Sequence, residues 1–131
     1  MKLTSLRIIT ADIKPLVQFF ELVTGLTAQW YTEDFAEVIT ATATLAIGST
    51  RTMQLFGEDL VRPASNNSVI IEFHVANVDD EFNRIKDFIN NIVQVPTTMP
   101  WGNRSMLIRD PDGNLINFFT PVTSDAIKKF S

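Results

Sequence analysis

"IRDPDGNLINFF", residues 108–119, is the stretch on which the fold turns. Asp110-Pro111-Asp112-Gly113 stands between two apolar runs. Proline presets φ at the first central turn position, and glycine tolerates the positive φ of a tight reversal. A β-hairpin is therefore predicted, with residues 106–109 entering and 115–119 leaving. A reversal across 110–113 pairs Arg104 with Phe119, Met106 with Asn117 and Ile108 with Leu115. Strand alternation then puts Arg104, Met106, Asn117 and Phe119 on one face. Asn117 interrupts an otherwise apolar exit strand, so it either meets solvent or looks into a site.

Composition narrows the surroundings. The chain has 131 residues, enough for one domain with a real core. Eleven basic against fifteen acidic residues leave a net charge of −4 with no basic run, which argues against nucleic acid. No apolar run approaches the roughly 20 residues of a membrane span, so no membrane partner is expected. The opening MKLTSLRIITADIK lacks a signal-peptide pattern, and with no cysteine a cytoplasmic location is the expectation. The lack of cysteine also removes thiol nucleophiles and thiolate metal sites. His74 is the single histidine, whereas catalytic zinc and non-haem iron sites ordinarily use two or three.

Working back from the hairpin, two apolar strands, LRIIT (6–10) and VIIEFHV (69–75), each precede a helix. The first helix starts after Asp12, carries Leu16, Phe19, Phe20 and Val23, and stops at Gly25. The second starts near Asn77 or Asp79, with Phe82, Ile85, Phe88 and Ile89 as its apolar face. Aligning Asp12 with Asn77 puts Ser5 on Ile70 and Arg7 on Glu72. Strands are expected at 27–32, 37–47 and 51–56 in the first half, and at 92–95, 104–109 and 114–119 in the second. The architecture is α+β: two βαβββ modules in tandem, forming a curved mixed sheet around a cleft with helices on the outer faces. One domain spans 1–123, with module one at 1–56, a polar linker at 57–68, module two at 69–122 and a tail at 124–131.

LRIITADIKPLVQFFELVTGL (6–26), FHVANVDDEFNRI (73–85) and PWGNRSMLIRDPDGNLINFF (100–119) resemble the glyoxalase, bleomycin-resistance and extradiol-dioxygenase superfamily, the vicinal oxygen chelate proteins. The resemblance implies metal ligands at inward positions on the first and last strands of each module. Those positions read Ser5, Gln54, Ile70 and Asn117 here. Isoleucine offers no donor, and the neutral amides bring no charge to a divalent cation. No metal and no other cofactor is therefore expected.

Alternation makes Arg7, Gln54, Phe56, Glu72, His74, Arg104, Met106, Asn117 and Phe119 inward, with Trp101 as a mobile lid or a loop anchor. A few polar groups among apolar walls suit a small-molecule site. Arg7 and Glu72 either contact ligand or pair with each other, and Asn117 and Gln54 either contact ligand or hydrogen-bond together. Two functions follow from this lining. One is a metal-free binding protein, expected as a homodimer, holding an aromatic or amphipathic ligand. The other is a metal-independent isomerase or lyase with Glu72 or His74 as acid or base. A metal-dependent lyase or dioxygenase is disfavoured. The absence of a nucleophile and of a metal triad favours binding.

Overall fold

The computed structural model describes residues 1–57 and 59–131. The chain divides into two compact units, Met1–Asn66 with Pro111–Gly113, and Asn67–Asp110 with Asn114–Ser131.

The first unit contains β1 (Ser5–Thr10), α1 (Ile13–Thr24), β2 (Gln29–Thr32), β3 (Phe35–Ile39) and β4 (Thr44–Ser49), in the sheet order β1-β4-β3-β2. β1 runs parallel to β4, and the other pairs are antiparallel. Leu16, Val17, Phe20 and Val23 recur at helical spacing and are buried on the sheet face that carries Ala36, Val38, Leu45 and Ile47. Burying each of the larger side chains stabilises the unit by about 1.5–3 kcal/mol. Gly25, at φ 71°, ends α1, its N–H donating to the Glu21 carbonyl at 2.9 Å.

Two expectations for this unit are corrected. Residues 37–47 are not one strand: Thr40–Ala43 forms a turn between β3 and β4, in which Thr40 Oγ1 accepts from the Ala43 N–H at 3.1 Å. Residues 51–56 are not a strand either. A 3-10 turn spans Thr50–Met53, where Ser49 Oγ accepts from the Arg51 N–H and Thr52 Oγ1 donates to the Ser49 carbonyl. The side-chain hydroxyls offered the backbone a local alternative to the ladder. Gln54 and Phe56 consequently lie beyond the sheet, both exposed.

The second unit repeats the order with β5 (Ile70–His74), α2 (Val78–Ile85), β6 (Ile92–Thr98), β7 (Asn103–Arg109) and β8 (Leu115–Pro121). Its sheet order is β5-β8-β7-β6. Asn77 caps α2, its Oδ1 accepting from the N–H groups of Asp79 and Asp80, and the acidic first turn complements the helix dipole. Val78 and Ile85 of α2 are buried together with Ile71, Met106, Ile108, Ile116 and Phe118. Phe88, expected in that apolar face, is 66% exposed, because α2 ends before it and Ile89 is the residue that turns inward.

The 108–119 hairpin forms, but its loop is one residue longer than expected. Asp110 and Asn114 pair across it: the Asp110 N–H donates to the Asn114 carbonyl, and the Asn114 N–H donates to Asp110 Oδ1. Pro111-Asp112-Gly113 is thus a three-residue loop, with Gly113 at φ 84°. The ladder becomes Arg104↔Thr120, Ser105↔Phe119, Met106↔Phe118, Leu107↔Asn117 and Ile108↔Ile116. A one-residue slip sends every side chain of a strand to the other face. Arg104 and Met106 are therefore not on the Asn117 face. Met106 is fully buried among the core residues opposite it, and Arg104 reaches α2.

The segment 124–131, expected as a tail, carries a third helix, α3 (Ser124–Lys129), capped by Thr123. Gly102, at φ 97°, is buried where β7 begins, its carbonyl accepting from the Val122 and Thr123 N–H groups. A Cβ there would strike Thr123, so this position requires glycine.

Nothing lies within 4 Å of a Cβ built on Gly113, so Gly113→Ala tests the backbone conformation alone. It should cost about 1–2 kcal/mol, the penalty of left-handed geometry for an L-residue. Chemical denaturation reads it directly; a variant as stable as the parent would show that the loop does not need positive φ.

Candidate functional site

Each sheet has one face covered by its helix and one that the helix leaves open. On the open face of the second sheet, the register aligns Glu72 with Asn117 and Leu107, and His74 with Phe119 and Ser105. The expectation that Glu72, His74, Asn117 and Phe119 share a face therefore holds for this sheet.

Glu72 and Asn117 are bonded. Asn117 Nδ2 donates to Glu72 Oε2 at 2.8 Å. Asn117 is 8% exposed, and its Oδ1 is buried without a hydrogen-bond partner. A buried carbonyl left without a donor costs about 1–3 kcal/mol. Asn103, on the same face of β7, holds a second such Oδ1. Beside them His74 stacks on Phe119, with ring centroids 5.3 Å apart and planes 12° apart. Phe130, just past α3, completes the cluster at 5.0 Å from Phe119 and 5.6 Å from His74. Next to this cluster a recess of about 250 Å³ is lined by His74, Ala76, Thr120, Pro121, Ile127 and Phe130. Phe130 was missed in the sequence because the tail gave no strong helix periodicity; the Thr123 cap followed by Asp125 in the first turn was the available signal.

The remaining predicted residues take other places. Gln54 is exposed, just past the 3-10 turn. Arg7 lies on the open face of the first sheet, opposite Ala46, with its guanidinium 5.2 Å from the centre of the Phe35 ring. Arg7 and Glu72 thus each have a partner within their own unit. Trp101 is 67% exposed in the turn between β6 and β7. Arg104 forms a two-pronged bond to Asp79 at the start of α2, at 2.8 and 3.0 Å, and donates to Thr98 Oγ1. Its role is to tie helix to sheet.

The register also corrects one implied ligand position. Arg7 pairs with Ala46 as Glu72 pairs with Asn117, so the first unit's counterpart of Asn117 is Ala46, not Gln54. The positions then read Ser5, Ala46, Ile70 and Asn117, of which two carry no donor atom. Among the described residues no group of three His, Cys, Asp or Glu is placed to hold a metal ion. This donor set does not fit a divalent metal.

A family model for the glyoxalase/bleomycin resistance protein/dioxygenase superfamily matches residues 2–118. The chain belongs to that superfamily. Among solved structures it is similar to a glyoxalase/bleomycin resistance protein/dioxygenase family enzyme from Burkholderia phytofirmans PsJN, with 16% identity and a TM-score of 0.82 over 93% of this chain and 100% of that one. A glyoxalase/bleomycin resistance protein/dioxygenase from Nocardioides shares 19% identity at TM-score 0.77, over 95% of this chain and 85% of that one. A glyoxalase-related enzyme from Fulvimarina pelagi shares 14% identity at TM-score 0.77, covering 95% and 94%. At these identities the likeness establishes the fold. No curated protein matches the sequence. Among the described residues no helix is long and apolar enough to cross a membrane.

The Arg104–Asp79 bond has a pH signature. The Arg104 guanidinium holds the Asp79 carboxyl below its ordinary value by hydrogen bonding first and by charge attraction second, against some desolvation. A depressed folded-state value contributes stability above the ordinary carboxylate range, and that stability is lost as pH falls through the folded-state value. Arg104→Ala should therefore lower the melting temperature modestly at pH 7, with the difference from the parent shrinking below about pH 4. Asp79→Asn in the Arg104→Ala background should add little. A deficit that persists undiminished at pH 3 would place Arg104's contribution elsewhere.

Proposed function

We propose that this chain is a metal-free small-molecule-binding protein, with its ligand on the open face of the second sheet. The observation that carries the reading is Asn117. A buried amide oxygen with no donor, beside an exposed carboxylate and a stacked aromatic cluster, is polar capacity the fold leaves unspent. Few polar groups set among apolar surfaces characterise small-molecule sites. The alternative, acid–base catalysis by Glu72 or His74, would need a reacting group held within hydrogen-bond reach of either; Asn117 holds Glu72 by a hydrogen bond, whereas Phe119 and Phe130 hold the His74 ring by ring contacts alone. Binding would begin at Glu72 and His74, the exposed members of this group.

The test is native mass spectrometry of protein from its own host, followed by titration of whatever small molecule co-purifies. His74→Ala removes an exposed ring of the cluster and should weaken that ligand by about ten-fold, equivalent to losing a ring contact of roughly 1–1.5 kcal/mol, with the fold intact by circular dichroism. Binding indifferent to His74→Ala and to Phe119→Leu alike would move the site off this face.

We extend the reading to a homodimer. Trp30, Tyr31, Leu55, Phe56 and Trp101 are large apolar residues left between 41% and 98% exposed, apolar surface that a second copy would cover. Sedimentation at micromolar concentration should return twice the chain mass; the mass of one chain would refute it.

A further inference from the structure

We infer that α3 and Phe130 form a lid over the His74–Phe119 cluster, one that opens by unwinding while the sheet beneath stays folded. The inference rests on the binding reading above and says how that face is reached. Phe119 is buried, so a ligand has little of it to touch while α3 is in place. Of the three rings in the cluster, only Phe130 comes from outside the sheet, and it lies 5.0 Å from Phe119 and 5.6 Å from His74. The recess of about 250 Å³ lies between the two parts, with His74 and Thr120 on its sheet wall and Ile127 and Phe130 on its α3 wall. Small-molecule sites commonly measure about 300–1,000 Å³, so the recess is undersized in the closed form. Moving α3 away removes one wall and bares Phe119 in the same step.

Little holds α3 down. The chain is anchored to the start of β7 as far as Thr123, since the Val122 and Thr123 N–H groups donate to the Gly102 carbonyl. Beyond that point the N–H groups of Ala126, Ile127 and Phe130 donate to Thr123 Oγ1, the Thr123 carbonyl and the Ala126 carbonyl, all within the segment. A helix of six residues is marginal in water without tertiary support. Two side chains supply that support. Ala126, the one buried residue of α3, packs against Gly102, where an added Cβ would come within 3.0 Å of it, and Phe130 rests on the cluster. By contrast β8 is paired on both sides, with β5 and with β7, and buries Ile116 and Phe118. Segments with few buried apolar contacts open locally, at free energies well below that of global unfolding. Thr123 is thus the hinge, and residues 124–131 are the part that swings.

Hydrogen exchange on the intact chain tests the opening. The Ile127 and Phe130 amides should exchange at least ten-fold faster than those of β8. Ala126→Gly should speed them about five-fold further, the factor implied by glycine's helix penalty, and leave β8 unchanged. His74, the only histidine, reports whether opening uncovers the cluster. Its ring resonances in Ala126→Gly should move part of the way toward those of Phe130→Ala, in which the lid has lost its ring. Neutral 1-naphthol, titrated against the same resonances, should bind Ala126→Gly about five-fold tighter than the parent, because the rarity of the open form weakens apparent affinity. Ile127 and Phe130 amides as protected as those of β8 would overturn the lid. So would faster exchange in Ala126→Gly with the His74 resonances unmoved, which is fraying that leaves the cluster covered. Equal affinity of 1-naphthol for parent and variant would overturn the gating and leave the binding face in place. No response of His74 to millimolar 1-naphthol in either form would overturn the binding reading, and the lid's role with it.

Discussion

The pairing of Asp110 with Asn114 decides what the second unit can do. Both residues are almost fully buried. The carboxylate accepts from the Asn114 backbone N–H at 2.9 Å and from its side-chain amide at 2.7 Å. Two hydrogen bonds from Asn114 to one buried side chain make this closure a firm choice between two loop lengths. The chosen loop has three residues, and the register that follows puts Met106 with Phe118 on the helix side and Leu107 with Asn117 on the open side. The polar row beside the aromatic cluster exists only in that register.

That choice also marks where the sequence stops being legible. The element order within each unit, both limits of α1 and the start of α2 followed from apolar periodicity and from end signals at Asp12, Gly25 and Asn77, because those are local. Asn117 and Phe119 share the sheet face of Glu72 and His74 as alternation implies, since the parity of β8 relative to β5 does not depend on the hairpin loop. Arg104 and Met106 were not. Two loop lengths around Pro111-Asp112-Gly113 are equally consistent with turn chemistry, and they differ only in whether Asp110 bonds to its neighbour across the turn. That is a side-chain bond between residues four apart, invisible to alternation. The 40–53 region departs from expectation for a related reason. Thr40, Ser49 and Thr52 read as good strand residues, yet their hydroxyls bond locally and break the run into a turn, a strand and a 3-10 turn.

The two units answer the same geometric position with different chemistry. At the pair formed by the first and last strands, one unit sets Arg7 beside Ala46, and the other sets Glu72 beside Asn117. Arg7 can extend across a methyl group and settle over Phe35, where a ring face partly replaces its hydration. Glu72 has no such option, because an aromatic face repels an anion. It needs a donor, and Asn117 supplies one through Nδ2. The amide that solves this problem creates another, because rotating its nitrogen toward Glu72 commits its oxygen to the far side.

An aspartate at 117 would place two carboxylates at bonding distance with no cation between them, and a leucine would leave Glu72 without its partner. Asparagine is thus among the few side chains that hold Glu72 in place without importing a charge, and its residual acceptor is the consequence. A metal-binding member of this fold would satisfy such acceptors with a divalent ion, which needs several anionic or imidazole donors converging on one point. Here Ala46 and Ile70 offer no donor atom and Ser5 and Asn117 only neutral ones, a poor set for a divalent ion.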